Sequence, residues 1–178
     1  MIMPVMKPAQ RPIIGLCMIV KNEAPVIARL LRSVTPLIGH WTIVDTGSTD
    51  DTREIIRKTA EELNIPGQLH ERPWRNFGHN RSEAIELAKN HCDYLFFIDA
   101  DEMLMFTEHF SLPLLTADAY AITMVHGSMT YSRTCLVNAR LPWRYEGVLH
   151  EYLECDRPVD AVHLQGLSVL YSYDGARS

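Results

Sequence analysis

Two carboxylates stand at the end of the most apolar stretch of the chain. Residues 94–98 form an unbroken apolar run, and Asp99 and Asp101 follow it directly. A run of this length predicts a strand that is buried on both faces, as in a parallel sheet covered by helices. Ligands of open α/β sheets bind beyond the carboxyl ends of the strands. Carboxylate oxygens placed there can hold a divalent cation, although an Asp-x-Asp pair taken alone is more often a solvated turn.

Acidic loops also follow two apolar segments upstream. Residues 15–20 predict a first strand, and Glu23 lies in the loop after it. Residues 41–44 predict a second strand, and Asp45 follows it. The loops after parallel strands meet at one edge of the sheet, so these carboxylates would concentrate negative charge there. Such an arrangement is costly without a cation or hydrogen-bond donors, and a nucleotide diphosphate with Mg²⁺ or Mn²⁺ would explain it.

The segments between and after these strands indicate the fold class. Apolar periodicity predicts helices at residues 26–34, 55–63 and 81–89. Residues 68–72 are a weaker candidate for a third strand. The alternation predicts an α/β domain with a mostly parallel, Rossmann-like sheet flanked by helices. A small antiparallel portion is predicted in the carboxyl-terminal half, at residues 119–125, 135–137 and 164–171. We expect Trp74 and Phe77 to be packing residues.

Composition narrows the class of protein. The 178 residues suit one domain, which we place at residues 14–178 after a loose leader of residues 1–13. The polar end at residues 174–178 suggests a truncated piece of a longer chain. The 17 Lys and Arg against 22 Asp and Glu argue against a nucleic-acid binder. The four cysteines form no Cys-x-x-Cys pair, which favours reduced thiols in the cytoplasm, and no segment has the length of a membrane span.

Taken together, the acidic loops resemble a known family. They look like the nucleotide-sugar-binding half of glycosyltransferase family 2, with matching order and spacing, at residues 17–23, 43–50 and 97–102. Residues 74–81 extend the likeness. Residues 143–151 and 174–178 resemble the branch of this family in which the catalytic domain is often followed by tetratricopeptide repeats. The resemblance covers the chain from about residue 14 onward. It implies a GT-A fold and transfer of a sugar, with inversion, from a nucleotide donor.

The resemblance also implies roles for matching residues. It assigns nucleotide contacts to Val20, Glu23, Asp45, Arg81, Asp99 and Ala100, and metal ligands to Asp99, Asp101 and His150. Inverting transfer needs a carboxylate to take the proton of the acceptor hydroxyl. Glu151 is the first candidate for that base and Glu146 the second.

Each of these roles has a plainer alternative. Glu23 could be a solvated charge at a helix start, Asp45 a helix cap. Arg81 could be a surface residue in an i,i+4 pair, and His150 a structural histidine.

The sequence therefore predicts a glycosyltransferase of hexosyltransferase type. It would move a sugar from a uridine-linked donor, with Mn²⁺ or Mg²⁺, to a carbohydrate, lipid or protein acceptor. A degenerate domain that binds nucleotide or a partner without turnover is the first alternative, because Tyr171 stands near where many relatives have a histidine. A nucleotidyltransferase is the second, but residues 21–23 lack its basic, glycine-rich loop.

Overall fold

The computed structural model describes residues 11–147 and 151–171. In the amino-terminal half, strands alternate with helices: β1 Ile14–Val20, α1 Ile27–Val34, β2 His40–Asp45, α2 Thr52–Leu63, β3 Gly67–Glu71, α3 Phe77–Ala88 and β4 Tyr94–Phe96. The elements that follow are strands: β5 Glu102–Phe106, β6 Ala119–His126, β7 Met129–Asn138, β8 Trp143–Glu146, β9 Tyr152–Cys155 and β10 Ala161–Tyr171. The predicted alternation is confirmed.

The sheet brings the ends of three strands together. Within the described residues the main sheet has eight strands in the order β3-β2-β1-β4-β7-β6-β10-β5, and β8 pairs with β9 separately. β1 lies between β2 and β4 and is parallel to both, and β3 is parallel to β2. β7 runs antiparallel to β4 and β6. The α/β class is confirmed, and the carboxyl ends of β1, β2 and β4 share one edge.

Two strand predictions need correction. β10 was expected to be antiparallel, but it is antiparallel to β5 and parallel to β6. The reason is that the chain passes through β8 and β9 before it re-enters the sheet in the direction of β6. β4 ends at Phe96, two residues before the end of its apolar run. Phe97 and Ile98 are still buried, and Phe97 donates its N–H to the carbonyl of Cys135 at 2.8 Å.

Helix α3 starts earlier than its apolar residues predict. We expected a helix from Arg81, but α3 begins at Phe77. The side chain of Asn76 accepts a hydrogen bond from the backbone N–H of His79 at 2.7 Å. This is the capping arrangement that starts a helix, and it places Arg81 in the second turn of α3 rather than at its start.

Helices cover both faces of the sheet. Leu16 and Met18 of β1 belong to an apolar cluster with α1 and α2, while Cys17 belongs to a second cluster with α3 and Trp143 of β8. Burial on both faces explains why β1 is a continuous apolar run. No helix in residues 11–147 and 151–171 is both long and apolar enough to cross a bilayer.

Helix α3 and strand β8 are in close contact. The hydroxyl of Ser82 accepts the N–H of Tyr145 at 2.9 Å and lies 3.3 Å from the carbonyl of the same residue. A Cβ atom at Gly78 would lie 2.5 Å from the carbonyl oxygen of Gly147. Only glycine therefore fits at position 78 without a backbone shift, and this contact fixes the chain just before residue 148.

We expect Gly78→Ala to lower the free energy of unfolding by about 1–3 kcal/mol, the usual cost of overpacking. This exceeds the roughly 1 kcal/mol that alanine gains over glycine in a helix. Chemical denaturation measures the difference. Gly39→Ala is the control, because a Cβ atom there meets only Ile13 at an ordinary 3.5 Å. Equal effects of the two substitutions would contradict this account of the contact.

Candidate functional site

A cleft of about 670 Å³ opens at the carboxyl ends of β1, β2 and β4. Of the residues proposed from the sequence, those that line it are Val20, Glu23, Arg81, Asp99, Ala100, Asp101 and Glu151. Asp45 and Glu146 do not line it, and His150 lies outside the described residues. Residues separated by more than a hundred positions thus meet in one place. A separate depression lies between α2 and β3, and Glu61 is the one carboxylate among its lining residues. It therefore lacks the group of carboxylates that the cleft contains.

The loops after β1 and β2 are tied to each other. Asn22, at φ 56°, donates its N–H to the hydroxyl of Ser48 at 2.9 Å and accepts the N–H of Thr49 at 2.8 Å. The N–H of Glu23 is bound by the hydroxyl of Thr52 at 2.8 Å. These bonds hold one wall of the cleft in place, because each loop satisfies polar backbone groups of the other.

Asp45 lies behind this wall and is 1% exposed. Its Oδ1 accepts the N–H groups of Gly47 at 3.0 Å and Ser48 at 2.9 Å. Its Oδ2 is buried without a hydrogen-bond partner among the described residues. Asp45 does not cap α2, since the residues that it binds precede the helix and the N-cap residue of α2 is Asp51. Asp45 therefore organises the turn and keeps one oxygen unpaired.

The acidic turn after β4 divides its carboxylates between two directions. Asp99 and Asp101 line the cleft, and Asp101 is 6% exposed. Glu102 is 3% exposed and does not line the cleft. Its carboxylate faces Arg133 of β7, whose Nη1 and Nη2 donate to it at 2.9 and 2.7 Å. Asp99 and Asp101, to which the sequence analysis assigned ligand contacts, thus face the cleft, and Glu102, to which it assigned none, does not.

Arg81 is a partly buried cation of the cleft, with 15% of its side chain exposed. Its Nη2 donates to Asp99 Oδ1 at 2.6 Å, and its Nε lies 3.3 Å from Glu151 Oε1. Its guanidinium also lies 5.4 Å from the ring centroid of Tyr145. Burial lowers the pKa of Arg81, but Asp99, Tyr145 and Glu151 more than offset this, so the pKa is raised. Arg81 is therefore charged and is not a surface helix residue.

The two candidate bases occupy different places. Glu151 is partly buried and lines the cleft beside Arg81. Glu146 is more exposed, and its Oε1 accepts from Arg144 Nε at 2.5 Å on β8. The structure therefore brings Glu151, and not Glu146, together with the carboxylates of the acidic turn.

Trp74 and Phe77 are not the packing residues that we expected. They are 42% and 43% exposed, line the cleft, and form an edge-to-face pair with ring centroids 4.8 Å apart. Their positions follow from the loop after β3 and the early start of α3. Asn76, a residue type that caps helices, could have revealed the early start of α3, but not which side the two rings face.

Comparison with known proteins gives a consistent family. A family model described as "Glycosyl transferase family 2" matches residues 16–159. A TPR repeat-containing protein of Synechococcus elongatus is 31% identical over 149 residues, which are 79% of this chain and 35% of that protein. A glycosyltransferase of Rickettsia felis is 38% identical over 86 residues, 48% of this chain and 28% of that protein. The chain thus spans about a third of the length of these curated relatives.

Among solved structures, the mannosyltransferase PcManGT of Pyrobaculum calidifontis, crystallised with GDP-Man and Mn²⁺, is 25% identical. It matches 55% of this chain and 32% of its own, with a TM-score of 0.46.

We expect Arg81→Met to destabilise the protein by about 1–3 kcal/mol, because it removes the cation that contacts both Asp99 and Glu151. The cost is below the roughly 3–5 kcal/mol of a fully buried pair, since Asp99 keeps 34% of its side chain exposed. Urea denaturation of Arg81→Met, Glu151→Gln and the double variant measures the coupling. Glu151→Gln should be neutral or stabilising in the Arg81→Met background, because it removes repulsion. Additive effects would contradict the ion pair.

Proposed function

Because the chain belongs to glycosyltransferase family 2, we propose that it transfers a sugar from a uridine-linked nucleotide donor to an acceptor. The observation that carries the proposal is the cleft in which Asp99, Asp101 and Arg81 meet at the carboxyl ends of parallel strands. The acceptor is a carbohydrate, a lipid or a protein. We assign the catalytic domain to residues 14–178, preceded by a leader of residues 1–13.

We propose that Asp99 and Asp101 hold a divalent cation, Mn²⁺ or Mg²⁺. Both offer hard oxygen ligands to the cleft, which fits either ion. No group of three His, Cys, Asp or Glu side chains that could hold a metal occurs in the part of the chain that the structure describes. The donor's phosphate oxygens, and His150 by resemblance, would complete the coordination. The bound cation would neutralise charge that develops on the leaving diphosphate.

The nucleoside end of the donor is proposed to lie against the wall of the cleft that the loops after β1 and β2 form. Val20 and Glu23 line the cleft on this side, and Ala100 of the acidic turn lines it too. Asp45 lies directly before Thr46, which also lines the cleft, and its buried Oδ2 has no partner in the described ranges. A buried acceptor left unpaired costs about 1–3 kcal/mol. Because Asp45 does not line the cleft, its assignment to the nucleotide rests on the family resemblance.

Glu151 is proposed as the base that takes the proton of the acceptor hydroxyl. It lies in the same cleft as the acidic turn, and its carboxylate forms an ion pair with Arg81. Arg81 thereby links the donor side, through Asp99, to the acceptor side, through Glu151. A positioned base must lie within hydrogen-bond reach of the hydroxyl, and a cleft residue meets this requirement better than the exposed Glu146.

A domain that binds the donor without turnover is the second candidate. Tyr171 is paired with Glu102 across β10 and β5, and its ring lies 4.6 Å from that of His126. Tyrosine therefore lies beside the acidic turn, near the position at which the family resemblance leads us to expect a histidine. We also propose a cytoplasmic location, because the four cysteines are unpaired.

We expect Asp101→Ala to abolish the enhancement of uridine diphosphate binding by Mn²⁺, because it removes a metal ligand. In Mn²⁺ its affinity should fall at least about tenfold, to the value in chelator, a loss of about 1.4 kcal/mol. Calorimetry measures this, and fluorescence can follow it, since Trp74 is exposed in the cleft whereas Trp41 and Trp143 are each 7% exposed. Glu86→Ala, which removes an exposed carboxylate of α3, is the control. An unchanged enhancement in Asp101→Ala would reject the metal assignment.

We expect Glu151→Gln to lower turnover by about 10²–10⁴-fold, the usual contribution of a positioned base, while affinity for uridine diphosphate stays near wild type. Glu146→Gln is the matched control and should keep full turnover. Until an acceptor is identified, hydrolysis of UDP-sugars can be followed. A variant that loses affinity but not turnover would place Glu151 in donor binding instead. Binding without turnover in the wild type, at any metal concentration, would favour the second candidate.

A further inference from the structure

The acidic turn is held from behind by an ion pair that does not belong to the cleft. The Glu102 carboxylate accepts hydrogen bonds from both terminal nitrogens of Arg133. Its Oε2 also accepts a hydrogen bond from the backbone N–H of Asp99 at 2.9 Å. The backbone N–H of Glu102 in turn donates to the carbonyl of Asp99 at 3.0 Å. The turn is thus closed by two hydrogen bonds between its first and last residues, one of which depends on the Glu102 side chain.

The position of the turn in the sheet explains why it needs such support. β4 lies in the middle of the sheet and β5 at its edge, so the chain leaves one strand and joins another that does not pair with it. Residues 97–101 therefore lack the regular strand ladder that would fix their backbone. Arg133 lies on β7, the strand next to β4, and supplies a fixed anchor from the sheet.

We propose that Glu102 and Arg133 are positioning residues that set the directions of the Asp99 and Asp101 carboxylates toward the cation. This inference rests on the proposed function. Groups that orient the ligands of a metal are typically worth about 10- to 100-fold in metal affinity. Glu102 is itself unsuited to be a ligand, because it is 3% exposed, does not line the cleft and has its oxygens bound by Arg133 and Asp99.

Electrostatics supports a division of labour between the two arginines. Arg81 binds Asp99 from the cleft side, and Arg133 binds Glu102 from the sheet side. Burial alone would lower the pKa of Arg133. Its bonds to Glu102 and Cys135 raise this pKa by more than burial lowers it, so Arg133 stays charged. Without Arg133, the Glu102 charge would add to those of Asp99 and Asp101 at one end of the turn and oppose their close approach.

The test separates the hydrogen bond to Asp99 from the stability that the ion pair contributes. Glu102→Leu/Arg133→Met removes both charges and the acceptor, and apolar replacement of a buried pair is often neutral for stability. Glu102→Gln keeps an acceptor at the same place. Glu102→Asp keeps the charge but withdraws the acceptor by one methylene, and it serves if the double variant does not fold. The control is Arg32→Met/Glu62→Leu, which removes a surface pair joining α1 and α2.

Two measurements are made on each folded variant. The first is hydrogen exchange of the Asp99 amide, with the amide of Leu95 in β4 as reference. The second is the affinity for uridine diphosphate with Mn²⁺ and with chelator. We expect the double variant and Glu102→Asp to lose Asp99 protection and to bind about 10- to 100-fold more weakly in Mn²⁺ only. Glu102→Gln and the surface control should resemble the wild type in both measurements.

The outcomes distinguish this inference from the proposed function. If the wild type shows metal-enhanced binding and the double variant or Glu102→Asp keeps it despite losing Asp99 protection, the positioning role is rejected and the function stands. If the wild type binds no nucleotide, the proposed function fails. The hydrogen bond is then judged by exchange alone, and unchanged protection of Asp99 in the double variant would overturn the inference.

Discussion

The compensation of carboxylates by partly buried arginines is the constraint on which this structure depends. The cleft gathers negative side chains at the ends of parallel strands, and such a group is unstable without cations. Arg81 of α3 reaches Asp99 and Glu151, and Arg133 of β7 reaches Glu102. Each arginine comes from an element distant in sequence from its partners. The charges are therefore balanced only when helix α3 and strand β7 are both packed against the sheet, which couples the site to the fold.

Hydrogen bonds between loops complete what the arginines begin. The loops after β1 and β2 exchange bonds through Asn22, Ser48 and Thr52, so neither loop can change shape alone. The acidic turn after β4 is closed through Glu102. The side of the cleft assigned to the nucleoside is thus fixed by hydrogen bonds within and between its loops, and the side assigned to the metal is also fixed by ion pairs. Fixed groups of this kind can meet a charged ligand without first reorganising.

The sequence predicted the parts of this design that depend on local patterns. Continuous apolar runs revealed β1 and β4, and the acidic loops after them led to the family that the chain belongs to. The parallel pairing of β10 with β6 was missed, because direction in a sheet depends on the path of the chain and not on composition. The Glu102–Arg133 pair was also missed, because its members are 31 residues apart and no local pattern joins them. Trp74 and Phe77 were wrongly expected to be packed, since an aromatic residue gives no sequence signal of which side it faces.

The helix that contacts Glu151 also packs against β8. Gly78 and Ser82 of α3 hold the backbone of β8 at Gly147 and Tyr145, where the chain leaves the strand before residue 148. One face of the same helix therefore carries Arg81, which contacts Glu151, and the small residues that hold Tyr145 and Gly147 close to α3. Because Arg81 contacts both Asp99 and Glu151, the separation of these two carboxylates depends on the position of α3. In a transferase this separation would decide whether an acceptor hydroxyl fits between the donor and the base, so variation in α3 should alter acceptor choice without touching the metal ligands.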